Sequence, residues 1–348
     1  MRRSDLERRV SAASSGSAVT LDMVAKEAGV SPSTVSRILN GTARVRESKV
    51  RAVEAAIAKL KFMPNPVARS LARGKSMNVG VVVQAIDSPF YGEALAAIEK
   101  GLLRANYSAL FLSGHWREVD ERRCIGHLVS RRAEGIILMN SCLADQELVH
   151  LSRSAPLVLT GRYVAGDRIC SLDVDSTPGA RLATEYLIGQ GHRRIAFIAG
   201  PADHLDALQR LDGYKAALSA ARIAFVNKLV AAGDYSHAGG HAAMNQLLDS
   251  GTKFTAVFAA NDQTAYGVML ALHRRGLKVP EDISVIGFDD LLTSAFTIPP
   301  LTTVHRSIRE TGGAAAEAMI DLIEGRTPVA SVPSATLAIR ESTRALRD

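Results

Sequence analysis

Long apolar runs are missing from this 348-residue chain. No stretch approaches the roughly 18 to 20 apolar residues that a membrane-spanning helix needs. The start, Met1-Arg2-Arg3-Ser4, leads into charged and Ser/Ala-rich sequence without the apolar core of an export signal, so a spanning or secreted protein is not expected. Cysteine is scarce: Cys124, Cys142 and Cys170 form an odd set without paired spacing, which suggests neither a disulfide framework nor a zinc site and points to the reduced cytoplasm. The histidines show no metal spacing, since His127 and His150, like His192 and His204, are not three or four residues apart. No glycine-rich phosphate cradle and no nucleophile elbow follows any predicted strand, so an enzyme is not expected, nor a cofactor.

What is present is a soluble-type composition, 47% hydrophobic and 22% charged, over a length that exceeds what one core usually organises. Its charge is unevenly placed. Residues 1–76 hold 15 Lys and Arg against 6 Asp and Glu, a net +9, whereas residues 77–348 hold 27 against 29. A basic module on a neutral body suggests a polyanionic partner, nucleic acid above all, although a disordered basic tail would show the same charge.

Residues 1–18 lack periodic apolar positions and are expected to form a mobile extension. In the following segment, 19–63, Thr20 is placed to cap a helix running to about Ala28, with Val24 and Ala28 inward and Gly29 supplying the turn. Ser31 caps a second helix whose first position is Pro32 and whose stripe is Val35, Ile38 and Leu39; Asn40-Gly41 stops it. A third helix over 47–61 presents Val50, Val53, Ile57 and Leu60 on one face. Two helices joined by a tight turn inside a basic three-helix unit satisfy the helix-turn-helix pattern, whose second helix enters the major groove.

The run Val24-Ala25-Lys26-Glu27-Ala28-Gly29-Val30-Ser31-Pro32-Ser33-Thr34-Val35-Ser36-Arg37-Ile38-Leu39-Asn40-Gly41 resembles the DNA-binding headpiece of the lactose/galactose repressor family of bacterial transcription regulators. The resemblance implies that Pro32, Ser33 and Arg37 read base edges and that Thr34 and Ser36 touch phosphates, with Thr20, Ser31 and Asn40 completing the DNA-facing set. Arg37 can grip a guanine with two hydrogen bonds. Pro32 and Ser33 depart from the long side chains of the best-known members, so readout there should rest on shape and methyl contacts.

Residues 64–76 contain Asn65-Pro66 and end at Gly74, which suits a short helix too brief to persist alone in water. Val67 and Leu71 lie four apart, placed to pair with a second copy, while Arg69 and Arg73 can reach phosphates. In the family this is the hinge helix, and the position of Leu71 implies a wedge into a minor-groove base step. Free in solution it reads equally as a solvated linker.

From residue 78 onward short β-rich runs alternate with helical patterns, the sign of parallel α/β sheets. Strands are expected at 79–83, 108–112, 135–139, 157–159, 169–174, 194–199, 256–259 and 284–287, and the resemblance implies a last one over 336–340. More than one sheet is needed, and Gln190-Gly191-His192-Arg193 opens a second α/β unit. The order is similar to the paired Rossmann-like lobes of periplasmic sugar-binding proteins, which the family shares. The resemblance covers about 19–344 and implies a core of 77–344. Lobe one takes about 78–174 and 306–332, lobe two about 175–304 and 333–344, with ligand in the cleft between them.

Parallel sheets bind ligands beyond the carboxyl ends of their strands. There the sequence places Asp87, Ser88, Phe90 and Tyr91, then Asn140, Arg162 and Tyr163, then Asp173 and Asp175, and finally Asn261-Asp262-Gln263 and Asp289-Asp290. By family position Arg210 faces Asp289, a cationic fork beside a carboxylate that could grip vicinal hydroxyls. Asn261 would meet another hydroxyl, Phe90 and Tyr235 would stack on a sugar face, and His204 lies on the family's effector loop. The mixture suits a neutral polyol better than a phosphate. Against these roles, Asp262 and Asp290 can be plain helix caps, Phe90 can simply seat its helix, Asp173 and Asp175 can serve the hinge crossing, and Trp116 reads as surface or interface.

The combined reading is a homodimeric repressor that binds a palindromic operator and is controlled by a small sugar. The alternatives are a transport-type sugar-binding protein, an architectural DNA binder without effector, and a regulator using a corepressor such as a purine. The dimer is expected to use first-lobe helices, including one over 308–324 through Ala315, Met319 and Leu322.

Overall fold

The computed structural model describes residues 19–40, 45–62, 75–172, 175–329 and 331–346, with no side-chain detail at Asn40. The extension 1–18, the hinge segment 64–74 with Arg69, Leu71 and Arg73, and Asp173 all lie outside the described residues. The chain divides into two compact units, 1–76 and 77–348.

The first unit is three helices, α1 (Leu21–Glu27), α2 (Pro32–Asn40) and α3 (Glu47–Leu60). Thr20 caps α1 by accepting from the Met23 amide, and Ser31 Oγ accepts from the Thr34 amide at the start of α2. Gly29 sits at φ +66°, a left-handed turn that costs a glycine little and lets α2 leave α1 sharply. Val24, Ala25, Val35, Val53, Ala56 and Phe62 are buried together. Phe62, past the end of the last helical stripe, is the core member that periodicity misses.

The second unit holds two sheets. In the first, β1 (Asn78–Val83), β2 (Ser108–Ser113), β3 (Gly135–Met139), β4 (Leu157–Thr160) and β5 (Ile169–Leu172) stand in the order β2-β1-β3-β4-β5, all parallel. Between them run α4 (Pro89–Arg104), α5 (Glu118–Ser130) and α6 (Asp145–Ser152). In the second, β6 (Ile195–Ile198), β7 (Val230–Ala231), β8 (Ala256–Ala259), β9 (Ser284–Asp289), β10 (Thr302–His305) and β11 (Thr336–Ala338) stand in the order β11-β10-β9-β8-β6-β7, with only the β10–β11 pair antiparallel. Its helices are α7 (Thr177–Gly189), α8 (Leu205–Ala220), α9 (His237–Asp249) and α10 (Asp262–Arg274). The inner parallel strands are buried on both faces, hence their unbroken apolar runs, and Val81, Ile137, Val158, Phe197, Val257 and Ile286 are each 0% exposed; the edge strands β2 and β5 are only partly covered.

Two strands, β7 and β10, escape the sequence reading. β7 is a two-residue edge, too short for any pattern. β10 carries Thr302 and Thr303, polar yet wholly buried, because Thr303 Oγ1 donates to Asp262 and Thr302 Oγ1 meets Thr343 Oγ1 at 3.2 Å.

The last helix, α11 (Ile308–Ile323), packs on α4 and on the first sheet. A Cβ at Gly312 would meet the Ala94 carbonyl oxygen at 2.6 Å, so glycine permits that approach. Here an expectation is corrected. Ala315 and Met319 are 0% exposed inside the first-lobe core, and Leu322 packs against the same cluster, so this stripe is internal packing and cannot face a second subunit.

Candidate functional site

On α2 the apolar stripe turns inward, with Val35 fully buried, and leaves Pro32, Ser33 and Arg37 exposed on the other face. Thr34 and Ser36 are half-buried beside them. Ser31, Ser33 and Thr34 share a hydroxyl cluster, with Ser31 Oγ at 2.9 Å from both Ser33 Oγ and Thr34 Oγ1. That cluster pre-orders the first turn of α2. The outward face is therefore short, polar and cationic, as a groove-reading helix requires.

In the second unit, a cavity of about 380 Å³ opens at the carboxyl ends of strands from both sheets. From the first lobe come Asp87, Ser88, Phe90 and Tyr91 after β1, Trp116 after β2 and Asn140 after β3. The second lobe supplies His204, Asp206 and Arg210 from the start of α8, Tyr235, Asn261 and Asp289. A second cavity of about 200 Å³ adjoins it, sharing Phe90 and Asn140 and including Asp175 and Arg306.

Arg210 is the centre of the larger cavity, its side chain 3% exposed. The guanidinium reaches Asp206 at 3.1 Å and Asp289 at 3.5 Å, donates to the Ala260 carbonyl, and lies 4.2 Å over the Phe288 ring. The fork-and-carboxylate pair is present. The nearer carboxylate, Asp206, sits one helical turn before Arg210 and was not singled out from sequence. Burial pushes the Asp289 carboxyl up to about 6 against the pull of Arg210 and Arg306. Among the described residues four buried polar atoms here make no hydrogen bond: Arg210 Nε, Tyr235 Oη, His204 Nδ1, and Asp289 Oδ1, which has only its ion pairs with Arg210 and Arg306. Buried polar atoms are seldom left so, and four on one cavity mark a place for a polar ligand.

Trp116 forms part of the wall. Its ring stacks on His204 at 3.8 Å between centroids and 22° between planes, joining first lobe to second. Burial lowers the His204 pKa, so the stacked imidazole is neutral near pH 7. A second tie between lobes is Ser88 Oγ donating to Gln263 Oε1 at 3.0 Å.

Several sequence expectations change on contact with this geometry. Arg162 lines neither cavity: it donates to the Ser141 and Leu143 carbonyls and pairs with Asp145, bracing the loop after β3. Asp175 belongs to the smaller cavity, where it also closes the Thr177 amide. The cap of α10 is Asn261, not Asp262. Asn261 Oδ1 accepts from the Thr264 amide, and its Nδ2 donates to the Tyr235 carbonyl, so this residue holds the cavity wall together while facing it. Asp262 is buried beneath, accepting from the Leu291 amide, Ser294 Oγ and Thr303 Oγ1, and burial raises its carboxyl to about 7. Asp290 caps no helix; it pairs with His305 and Arg340. Gln263, expected beyond its strand, does line the larger cavity, whereas Asp206, Trp116 and Arg306 are among the lining residues that local patterns did not reveal, because nothing in their flanking sequence differs from that of surface loops.

Comparison with known proteins bears on both units. Residues 20–65 match the model for bacterial regulatory proteins of the lacI family, and residues 184–343 match a periplasmic binding protein-like domain. The chain is 37% identical over 326 residues to the HTH-type transcriptional regulator GalR of Escherichia coli K12, covering 93% of this chain and 95% of that one. Among solved structures, the Lac repressor dimer bound to operator and the anti-inducer ONPF aligns with a TM-score of 0.84 at 32% identity, over 94% of this chain and 99% of that one. A complex of the transcriptional regulator CelR with cellobiose aligns at 0.70 and 34% identity, over 93% and 99%.

Proposed function

This chain belongs to the lacI family of bacterial regulatory proteins, and from that premise we propose that it represses transcription from a palindromic operator as a homodimer and is controlled by a sugar bound between the lobes of its body. It is a DNA-binding transcriptional regulator of the helix-turn-helix type. The observation that carries the sugar reading is the set of four buried atoms that make no hydrogen bond among the described residues, on an arginine, a histidine, a phenol and an ion-paired carboxylate, beside the Trp116–His204 stack. Vicinal hydroxyls both donate and accept, so a sugar can answer every one of them, while its apolar face rests on an aromatic wall. The CelR relative binds cellobiose in a structure of the same fold, which supports the same class of effector.

Arg37, Ser33 and Pro32 read the operator in this proposal, and the exposed arginine supplies the base discrimination. With the α11 stripe buried, we place part of the subunit contact on Leu292, Phe296 and Ile298, which are 65%, 78% and 96% exposed in one segment of the second lobe. The Lac repressor structure is itself a dimer on its operator. Release follows from the effector's unequal affinity for the arrangements of the two lobes, which bounds how far it can shift operator binding. Regulation of this kind takes place in the cytoplasm.

The test is a selection of operators from randomised duplexes with the full-length chain at physiological salt, followed by a sugar panel added to the selected complex. A two-fold symmetric consensus weakened by one or more sugars is expected. Recovery of random duplexes would sink the operator reading, and a consensus complex indifferent to every sugar would sink the effector reading.

A further inference from the structure

The smaller cavity differs from the larger in the charge it offers. Two helices begin at it, α7 with Ser176 as its N-cap and α11 with Ser307. Serine is among the residues that usually close such an end with a side-chain hydrogen bond, yet neither does so here. Ser176 is 2% exposed and its Oγ has no hydrogen-bond partner. The opening turns of helices carry partial positive charge, and here two such turns meet one space; at α7 the Thr177 amide is taken by Asp175 and Pro178 has none, so the first turn of α11 is the one with amides to offer.

Arg306 stands in the wall they share. Its side chain is 11% exposed, and its nearest carboxylate, Asp289, is 3.9 Å away and already meets Arg210 at 3.5 Å. The guanidinium lies 5.5 Å over the Phe90 ring and makes no hydrogen bond among the described residues. Burial, and the like charge of Arg210, pull its pKa below the ordinary arginine value. A largely enclosed guanidinium whose one carboxylate contact is long and shared still has donors to give to an acceptor in the cavity. One opposing group is present: the exposed Asp175 carboxylate takes the Thr177 amide at 2.8 Å and puts a negative charge at the rim.

We propose that the effector carries an acidic oxygen group, a carboxylate or a phosphate ester, which occupies the smaller cavity between Arg306, Ser176 Oγ and the first turns of α7 and α11. This deepens the sugar reading and rests on it: the polyol part fills the larger cavity while the acid reaches past Phe90 and Asn140 into the smaller one. A hydroxyl alone could satisfy Ser176, but it offers too few lone pairs for a guanidinium fork and leaves its charge unanswered. A planar carboxylate or a tetrahedral phosphate answers both.

Titration calorimetry of the full-length chain with matched ligands tests this. The pairs are glucose, glucuronate and glucose 6-phosphate; galactose, galacturonate and galactose 6-phosphate; ribose and ribose 5-phosphate; and inorganic phosphate alone. At least one acid should bind about tenfold more tightly than its neutral parent, the scale of one added charge-assisted hydrogen bond. Whether the carboxylate or the phosphate arm gains identifies the group. In Arg306→Gln that preference should collapse, and Ser176→Ala, which removes only a hydroxyl, should reduce it by a smaller factor and serves if the arginine variant fails to fold. Neutral sugars binding while every acid fails overturns the acidic group and leaves the sugar reading standing. No binding by either kind overturns both. An acid preference unchanged in both variants, or inorganic phosphate binding as tightly as the sugar acids, overturns the site.

Discussion

In the first unit the groups expected to meet DNA face outward: Arg37, Ser33 and Pro32 are exposed on α2, and among the described residues six are buried beneath the three helices. In the second they face inward, where Arg210, Asp289, Asn261 and Asp262 are all buried. A net +9 lies on a minimal core, and a near-neutral unit hides its charges in pairs. The contrast follows from the ligands. A DNA groove is a large surface met from outside, at which side chains can stay solvated until contact. A sugar must be taken out of water, and the hydrogen bonds that replace its hydration have to be fixed before it arrives. One unit therefore separates stability from recognition, whereas the other makes them depend on the same residues.

Arg210→Ala should show that dependence most strongly. Removing the guanidinium leaves the buried Asp289 with only the longer contact to Arg306 and the half-buried Asp206 without its partner, at a cost of about 3 kcal/mol to the second unit. Arg37→Ala, on an exposed face, should leave melting unchanged to within about 0.5 kcal/mol while reducing operator discrimination by about 1–3 kcal/mol. Thermal unfolding and operator competition on both variants make the comparison. It breaks if the two destabilise equally.

A cavity in the small core should come next. Val53 is 0% exposed, so Val53→Ala should cost the first unit roughly 2 kcal/mol, a large share of what so small a core supplies. Calorimetry should then resolve an early transition that abolishes operator binding, with the transition of the second unit unmoved. A single merged transition, shifted as a whole, would show that the two units unfold together.

The smallest effect is one of pH. Burial, then the charge of Asp289, raises the Asp262 carboxyl from its ordinary value near 3.8 to about 7. Between those values the folded chain holds a proton that the unfolded chain has lost, so stability falls as pH rises through the window. Lowering the pH from about 7.5 to about 6.5 should stabilise the second unit by roughly 0.7 kcal/mol through this group. Asp262→Asn should flatten the slope. A slope equal to that of the unmodified chain would mean that Asp262 stays ionised on its three donors.

Much of this protein was legible before any coordinates. The three helices of the first unit follow from the capping types of Thr20 and Ser31, from Gly29, and from apolar spacing on α3, all of which act within a few residues. The central strands are legible for a similar reason: a strand covered on both faces has to be apolar at every position, as at Val79–Val83 within β1. The pairing of Arg210 with Asp289 was reached through resemblance to a family, not through any local pattern.

What only the tertiary structure decided are matters of convergence. The stripe of Ala315 and Met319 announces a buried face, but the same stripe would fit a subunit contact; its cover proves to be α4 and the first sheet. Trp116 and His204 stack at 3.8 Å across a cleft because two sheets present their carboxyl ends to each other, and nothing near either residue encodes the other. Arg306 follows a strand, β10, whose threonines are buried only because Asp262 and Thr343 meet them from distant parts of the chain. Helix ends and strand cores are set by forces reaching a few residues along the chain, which sequence records. A binding site is set by which distant ends the topology brings together, and that order exists only once the chain has folded.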